Sequence, residues 1–159
     1  MGDVAAQIIT GAHCHVLVAG WQARMWSQRI LVACDGSEQS DQVADIAALI
    51  GRITRTPVTL MTVVGGEKDA PSATADLALK AGRMRVDGVD CNTCVVEGSP
   101  EQAIPALASE LGADLVVLGR KHGSGGAPDR IIGGLTCAVL LVRFGAEARD
   151  LDKAFAQQA

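Results

Sequence analysis

Two segments about eighty residues apart constrain this chain more than anything else in it: RILVACDGS, Arg29 to Ser37, and GADLVVLGRKHGSGG, Gly112 to Gly126. Each is a short apolar run that breaks into a polar, glycine-bearing turn and then a helix-like pattern. A strand buried in a parallel sheet has this appearance when it delivers a loop to one end of the sheet. In open α/β sheets ligands sit at such strand ends. The pair therefore predicts one site, with the Asp35 carboxylate from the first strand and glycine-rich backbone from the later one.

The rest of the chain repeats the alternation. Ile30 to Cys34 reads as a first strand. Ser37 or Ser40 is placed to cap a helix whose apolar face is Val43, Ile46, Ala47, Ile50 and Ile53. Val58 to Val64 follows Pro57 as a second strand and stops at Gly65-Gly66. A second helix is expected from Ser72 to about Val86, with Leu77, Ala78, Ala81 and Met84 inward, and Cys91 to Val96 is a third strand. Ser99-Pro100-Glu101-Gln102 is a helix start, with Ser at the cap, Pro in the first turn and Gln at the capping-box position. Ile104, Leu107, Ala108 and Leu111 make that helix's buried stripe, and Pro105 sits inside it at some cost. Leu115 to Leu118 is a fourth strand, Pro128 to Ile132 a short helix, and Ala138 to Arg143 a fifth strand. The expected fold is α/β: a five-stranded parallel sheet with helices on both faces, Rossmann-like.

Residues 1–28 differ from the remainder. His15 to Trp21 is apolar without an evident partner segment, and Met25 stands just ahead of the regular pattern, a candidate start. The favoured reading makes this stretch an upstream extension; the rival is an extra edge strand at Val16 to Val18. Residues 29–143 form the domain, and 144–159 a tail.

Composition closes off several function classes. With 159 residues, 48% hydrophobic and 20% charged, the chain is one globular domain. A net charge of -4 argues against a nucleic-acid surface, and two Trp, two Phe and no Tyr leave no base-stacking platform. No apolar run has membrane-spanning length, and Asp3 without a preceding basic segment argues against a signal peptide. Five scattered cysteines fit a reducing, cytoplasmic setting better than a disulfide framework. Cys91-Asn92-Thr93-Cys94 lies on a strand, where positions three apart point to opposite faces, so it reads as structural rather than redox-active. His13-Cys14-His15 alone is weak as a metal site.

From Arg29 to Arg143 the chain resembles the universal stress protein family, of the adenine nucleotide alpha hydrolase-like superfold. Asp35-Gly36-Ser37-Glu38 after the first strand, Val58 to Val64, Val96-Glu97-Gly98-Ser99-Pro100, Gly112 to Gly119 and Cys137 to Arg143 carry the likeness by their order and spacing. The resemblance implies strand order 3-2-1-4-5 and a homodimer along the fifth strands, here Val139 to Val142. For one branch of the family it also implies ATP, with Mg, at the strand ends, and the backbone near Ala33, Val63 and Leu118 would then hold the base. That branch carries glycine, two residues, glycine, nine residues, then glycine with Ser or Thr. From Gly119 onward this chain is about seven residues short of that pattern. One alignment matches Gly123 and Gly133; the other, preferred because Ile131 and Ile132 need a helix to bury them, matches Gly125-Gly126 and places the deletion in the loop.

What remains suits phosphate. Gly119 and the run Gly123, Ser124, Gly125, Gly126 lead into a helix start, with Arg120 and Lys121 as charge and Ser124 as a hydroxyl. Asp35 is placed to accept from a ribose hydroxyl or an adenine amine. The plainer reading is that Asp35 starts a turn and caps the first helix, and that the glycines make a tight connection. No nucleophile, base and orienter can be assembled, so an enzyme is not expected beyond weak ATP hydrolysis. Two functions stay open: a regulatory stress-response protein that binds ATP, and a dimeric interaction module that binds no nucleotide.

Overall fold

A computed structural model describes residues 3–21, 23, 26–121 and 127–144. Six strands form one sheet: β1 (Val16–Val18), β2 (Ile30–Cys34), β3 (Val58–Val64), β4 (Cys91–Glu97), β5 (Leu115–Lys121) and β6 (Ala138–Phe144). The helices are α1 (Asp3–Gly11), α2 (Gln39–Thr54), α3 (Ala70–Val86), α4 (Pro100–Glu110) and α5 (Ala127–Gly133). The order across the sheet is β1-β6-β5-β2-β3-β4. The five strands expected from sequence are β2 to β6. Their pairings are parallel, and their order is the 3-2-1-4-5 that the family resemblance implies.

Residue alternation along the strands splits the core in two. Ile30, Val32, Leu60, Leu115 and Val117 face α2 and α3 and pack on Val43, Ala47, Leu77, Ala81 and Met84. Leu31, Met61, Val116, Leu118, Val139 and Leu141 face the other way, onto Ile104 and Ala108 of α4, Ile131 and Ile132 of α5, and Ile9 of α1. A strand flanked by strands and covered on both faces has no room for a polar residue, which is why β2 reads as an unbroken apolar run.

The N-terminal stretch corrects the sequence reading. Val16–Val18 has a partner: it pairs antiparallel with β6, Val16 opposite Leu141, Leu17 opposite Leu140 and Val18 opposite Val139. The sheet is therefore mixed and six-stranded rather than five-stranded and parallel. Of the β6 edge that the sequence left open at Val139 to Val142, Val139 to Leu141 are covered by the chain itself. Ile9 is buried at 3% exposure. Met25 and residues 145–159 lie outside the described residues.

Helix faces depart from expectation at particular positions. Ile53 is 72% exposed, while Ala44 and Gly51 of α2 are buried instead. In α3 the inward position is taken by Lys80 rather than Ala78. Ser99 caps α4 by its backbone conformation, with no side-chain cap bond, so the capping box does not form.

A clamp at the bottom of the sheet sets where β2 begins. The Asp114 carboxylate, just before β5, accepts from the backbone N–H groups of Ser27 (2.7 Å), Gln28 (3.0 Å) and Arg29 (3.2 Å). One side chain thus satisfies donors 85 to 87 residues away and holds β2 in register with β5. Charge-assisted bonds of this kind are worth more than neutral ones. Asp114→Ala is expected to lower the unfolding free energy by about 1–3 kcal/mol, read from the urea midpoint; an unchanged midpoint would contradict the clamp.

Candidate functional site

The crossover direction reverses at β2. The connections from β2 to β3 and from β3 to β4 run over the α2/α3 face; those through α4 and α5 run over the other. Between the C-terminal ends of β2 and β5 the covering helices diverge, and the gap is a crevice of the kind that binds ligands in open α/β sheets. A hollow of about 320 Å³ occupies it, at the lower end of the range for small-molecule sites.

Its floor comes from the strand ends: Ala33, Val63, Leu118 and Gly119. Ala33 and Leu118 are register partners on β2 and β5. Asp35 stands beside them, one residue past β2. The walls are helical: Ser40 and Val43 from α2, Ile104 from α4, Ile131 from α5. Phe144, at the end of β6, also lines the hollow. The lining is mostly apolar, with Asp35 as its acidic group.

The structure brings Ala33, Asp35, Val63, Leu118 and Gly119 together. Arg120 is not among the lining residues. It is buried at 3% exposure, its Nη1 lying 3.5 Å from Asp129 and its Nη2 donating to the Thr10 hydroxyl at 3.4 Å. Alternation puts Arg120 on the same face as Leu118, and its contacts with Asp129 and Thr10 hold its guanidinium against α5 and α1. Gly123, Ser124, Gly125 and Gly126 lie outside the described residues. From sequence, Val43, Ile104 and Ile131 read as core, Ser40 as a candidate helix cap and Phe144 as the start of the tail.

Asp35 has a defined geometry. One carboxylate oxygen accepts from the Ser37 N–H at 3.0 Å and from the Ser37 hydroxyl at 2.5 Å, the local turn that Asp favours after a strand. Gly36 then takes φ +75°, a left-handed conformation that suits glycine. α2 is capped at Glu38, with no side-chain cap bond, and not at Asp35, Ser37 or Ser40. Gly119 is required for a different reason. A Cβ there would lie 2.6 Å from the Phe144 ring and 3.1 Å from Val43, so the missing side chain is what lets the ring close over β5.

Behind the α2 wall is a charged cluster. Lys80 of α3 is 6% exposed and bonds Asp76 at 2.5 Å and Asp41 of α2 at 3.0 Å. Burial works against its charge, but the bonds to the two carboxylates outweigh it and raise its pKa above 10.5. Burial pushes the neighbouring Cys34 thiol up to about 12; Lys80 opposes this, and Asp76, Asp35 and Asp41 add to it. Cys34 is therefore an apolar wall rather than a nucleophile. Cys91 is buried in the α2/α3 core while Cys94 packs against the other, so the CxxC points both ways. Among the described residues no group of His, Cys, Asp and Glu could hold a metal, and no helix is long and apolar enough to cross a membrane.

A mixed sheet with helices on both faces and a crevice at its reversal point defines an α/β domain as an architecture, without fixing a ligand. The description of the universal stress protein family matches residues 27–143, and the chain belongs to that family. Solved structures agree. A universal stress protein from Archaeoglobus fulgidus is similar at 24% identity and a TM-score of 0.65, over 74% of this chain and 95% of that one. A universal stress protein in complex with cAMP is 27% identical with a TM-score of 0.66, over 74% and 98%. A universal stress protein from Archaeoglobus fulgidus in complex with dAMP is 18% identical with a TM-score of 0.64, over 75% and 99%. No curated protein matches the chain.

The Lys80 cluster gives a pH test. A lysine whose folded pKa is raised contributes stability that is fully present below its unfolded value and is lost as pH rises through the folded one. Both carboxylates are partly exposed, so Lys80→Met should cost only about 1–2 kcal/mol at pH 7. The gap between the two proteins should close above pH 10.5. A gap that stays constant to high pH would mean that Lys80 acts through packing alone.

Proposed function

We propose that this protein is a regulatory member of its family that binds an adenine nucleotide in the hollow between β2 and β5. The observation that carries the reading is the hollow itself, an apolar slot at the crossover reversal with one carboxylate beside it. In this reading the base lies against Ala33, Val63 and Leu118, where burial of its faces supplies most of the affinity. The second oxygen of Asp35, or the one it shares with Ser37, accepts from a ribose hydroxyl. The phosphates leave past Gly119 toward the glycine run, with Mg when the ligand is ATP. The solved relatives in complex with cAMP and dAMP support the ligand class. The protein acts by presenting a ligand-dependent surface; no residue is assigned to catalysis.

The alternative, an interaction module without nucleotide, is favoured by one feature. The Phe144 ring sits over Gly119, where a closely approaching phosphate would pass. The two readings separate in one calorimetric experiment with ATP and Mg, and with AMP, on protein checked for carried-over nucleotide. Saturable binding should weaken about 10- to 100-fold in Asp35→Ala, the loss of one charge-assisted hydrogen bond, with an unchanged melting temperature. Absence of heat with either nucleotide, and none carried over, would overturn the proposal.

A further inference from the structure

β6 is a seven-residue strand, Ala138–Phe144, but β1 covers only three of its residues. The Arg143 N–H points outward and donates to His15 Nδ1 at 3.0 Å. By strand alternation, Leu141 and Val139 present their backbone groups to the same side, so Val16 and Val18 carry the ladder and Leu17 does not. A second copy of β6 could lie in this place. Set antiparallel with Leu140 opposite Leu140, it would put its Val139, Leu140 and Leu141 where Val16, Leu17 and Val18 stand. The two triplets are Val-Leu-Leu and Val-Leu-Val. The same register would add Ala138 opposite Val142 at each end, a longer ladder than β1 provides.

We infer that β1 is an internal stand-in for a second copy of β6: the α1–β1 segment guards the edge and keeps the chain monomeric, and its release lets two copies pair through Ala138 to Val142. The segment lies outside the family match at residues 27–143. Its attachment is also imperfect. Arg143 donates to the carbonyls of Ile9 (3.3 Å) and Thr10 (2.7 Å) at the end of α1, and Arg120 to the Thr10 hydroxyl. Yet Arg120 Nε and Arg143 Nε are buried without a hydrogen-bond partner, and Arg120 Nη1 has only the 3.5 Å ion pair with Asp129. Buried guanidinium donors left unpaired weaken the closed state. Three ladder residues and one buried side chain, Ile9, oppose that cost. A bare apolar edge, once exposed, does not stay bare.

Sedimentation velocity at micromolar concentration tests this. The unmodified chain should run as a 16.4 kDa monomer, with the Val139 and Leu141 amides protected from hydrogen exchange. Val16→Pro, which removes a ladder donor, and Ile9→Asp, which unseats α1, should each shift it to twice that mass. Leu140→Lys added to either variant places like charges opposite one another and should return the monomer. Three results would overturn the inference: a dimer of the unmodified chain, fast exchange at Val139 and Leu141 in its monomer, or variants that are folded by circular dichroism and remain monomeric. The exchange measurement stands whether or not either variant folds.

Discussion

The structure depends on the placement of one five-residue strand. β2 has β3 on one side, β5 on the other, and helices over both faces, and Ile30, Leu31 and Val32 are fully buried. The chain leaves it in one direction across the sheet and later returns to its far side. Right-handed crossovers then put α2 and α3 on one face and α4 and α5 on the other. The crevice at the C-terminal end of β2 is a geometric consequence of that reversal. Asp114 supplies the complementary constraint at the opposite end by fixing the backbone that enters β2.

The hollow follows from the same constraint, and its chemistry follows from how the strands end. β2 ends in Ala33 and Cys34 before an acidic turn, so the floor is apolar and the rim is charged. β5 ends in Gly119, which yields its side-chain space to the Phe144 ring. The residue after it, Arg120, is turned away and spent on Asp129 and α1. The hollow is therefore less basic than a count of nearby cations would imply. A second hollow of about 340 Å³, walled by Pro105, Gly112, Leu135 and Cys137, opens at the other ends of β5 and β6, away from the reversal point.

How much of this was legible in the sequence depends on length and on locality. The buried parallel strands were readable because each is an apolar run bounded by its own turn residues. β1 was offered only as the rival reading, because it has three residues and its partner lies more than a hundred positions away. Helix periodicity located α2 and α3 but misjudged single positions. Ile53 lies off the buried stripe of Val43, Ala44, Ala47 and Gly51 and is exposed, and Lys80 is drawn inward by Asp41 and Asp76 rather than by apolarity. In the site, Asp35 was named because strand ends are where ligands sit in this architecture, while Ala33, Val63 and Leu118 were named through the family resemblance. The helical walls were missed because an inward apolar residue looks the same whether it faces core or hollow. Phe144 was missed because its role depends on a glycine in a neighbouring strand.

The most direct test of the central claim, that the reversal-point hollow is the ligand site, is an amide-resolved NMR titration of the isotope-labelled protein with AMP. The account predicts saturable shifts concentrated at Ala33, Asp35, Val63, Leu118 and Gly119, with Phe144 ring resonances moving at the same midpoint. Saturation without change at these positions, or with changes centred on Gly112, Leu135 and Cys137, would contradict it.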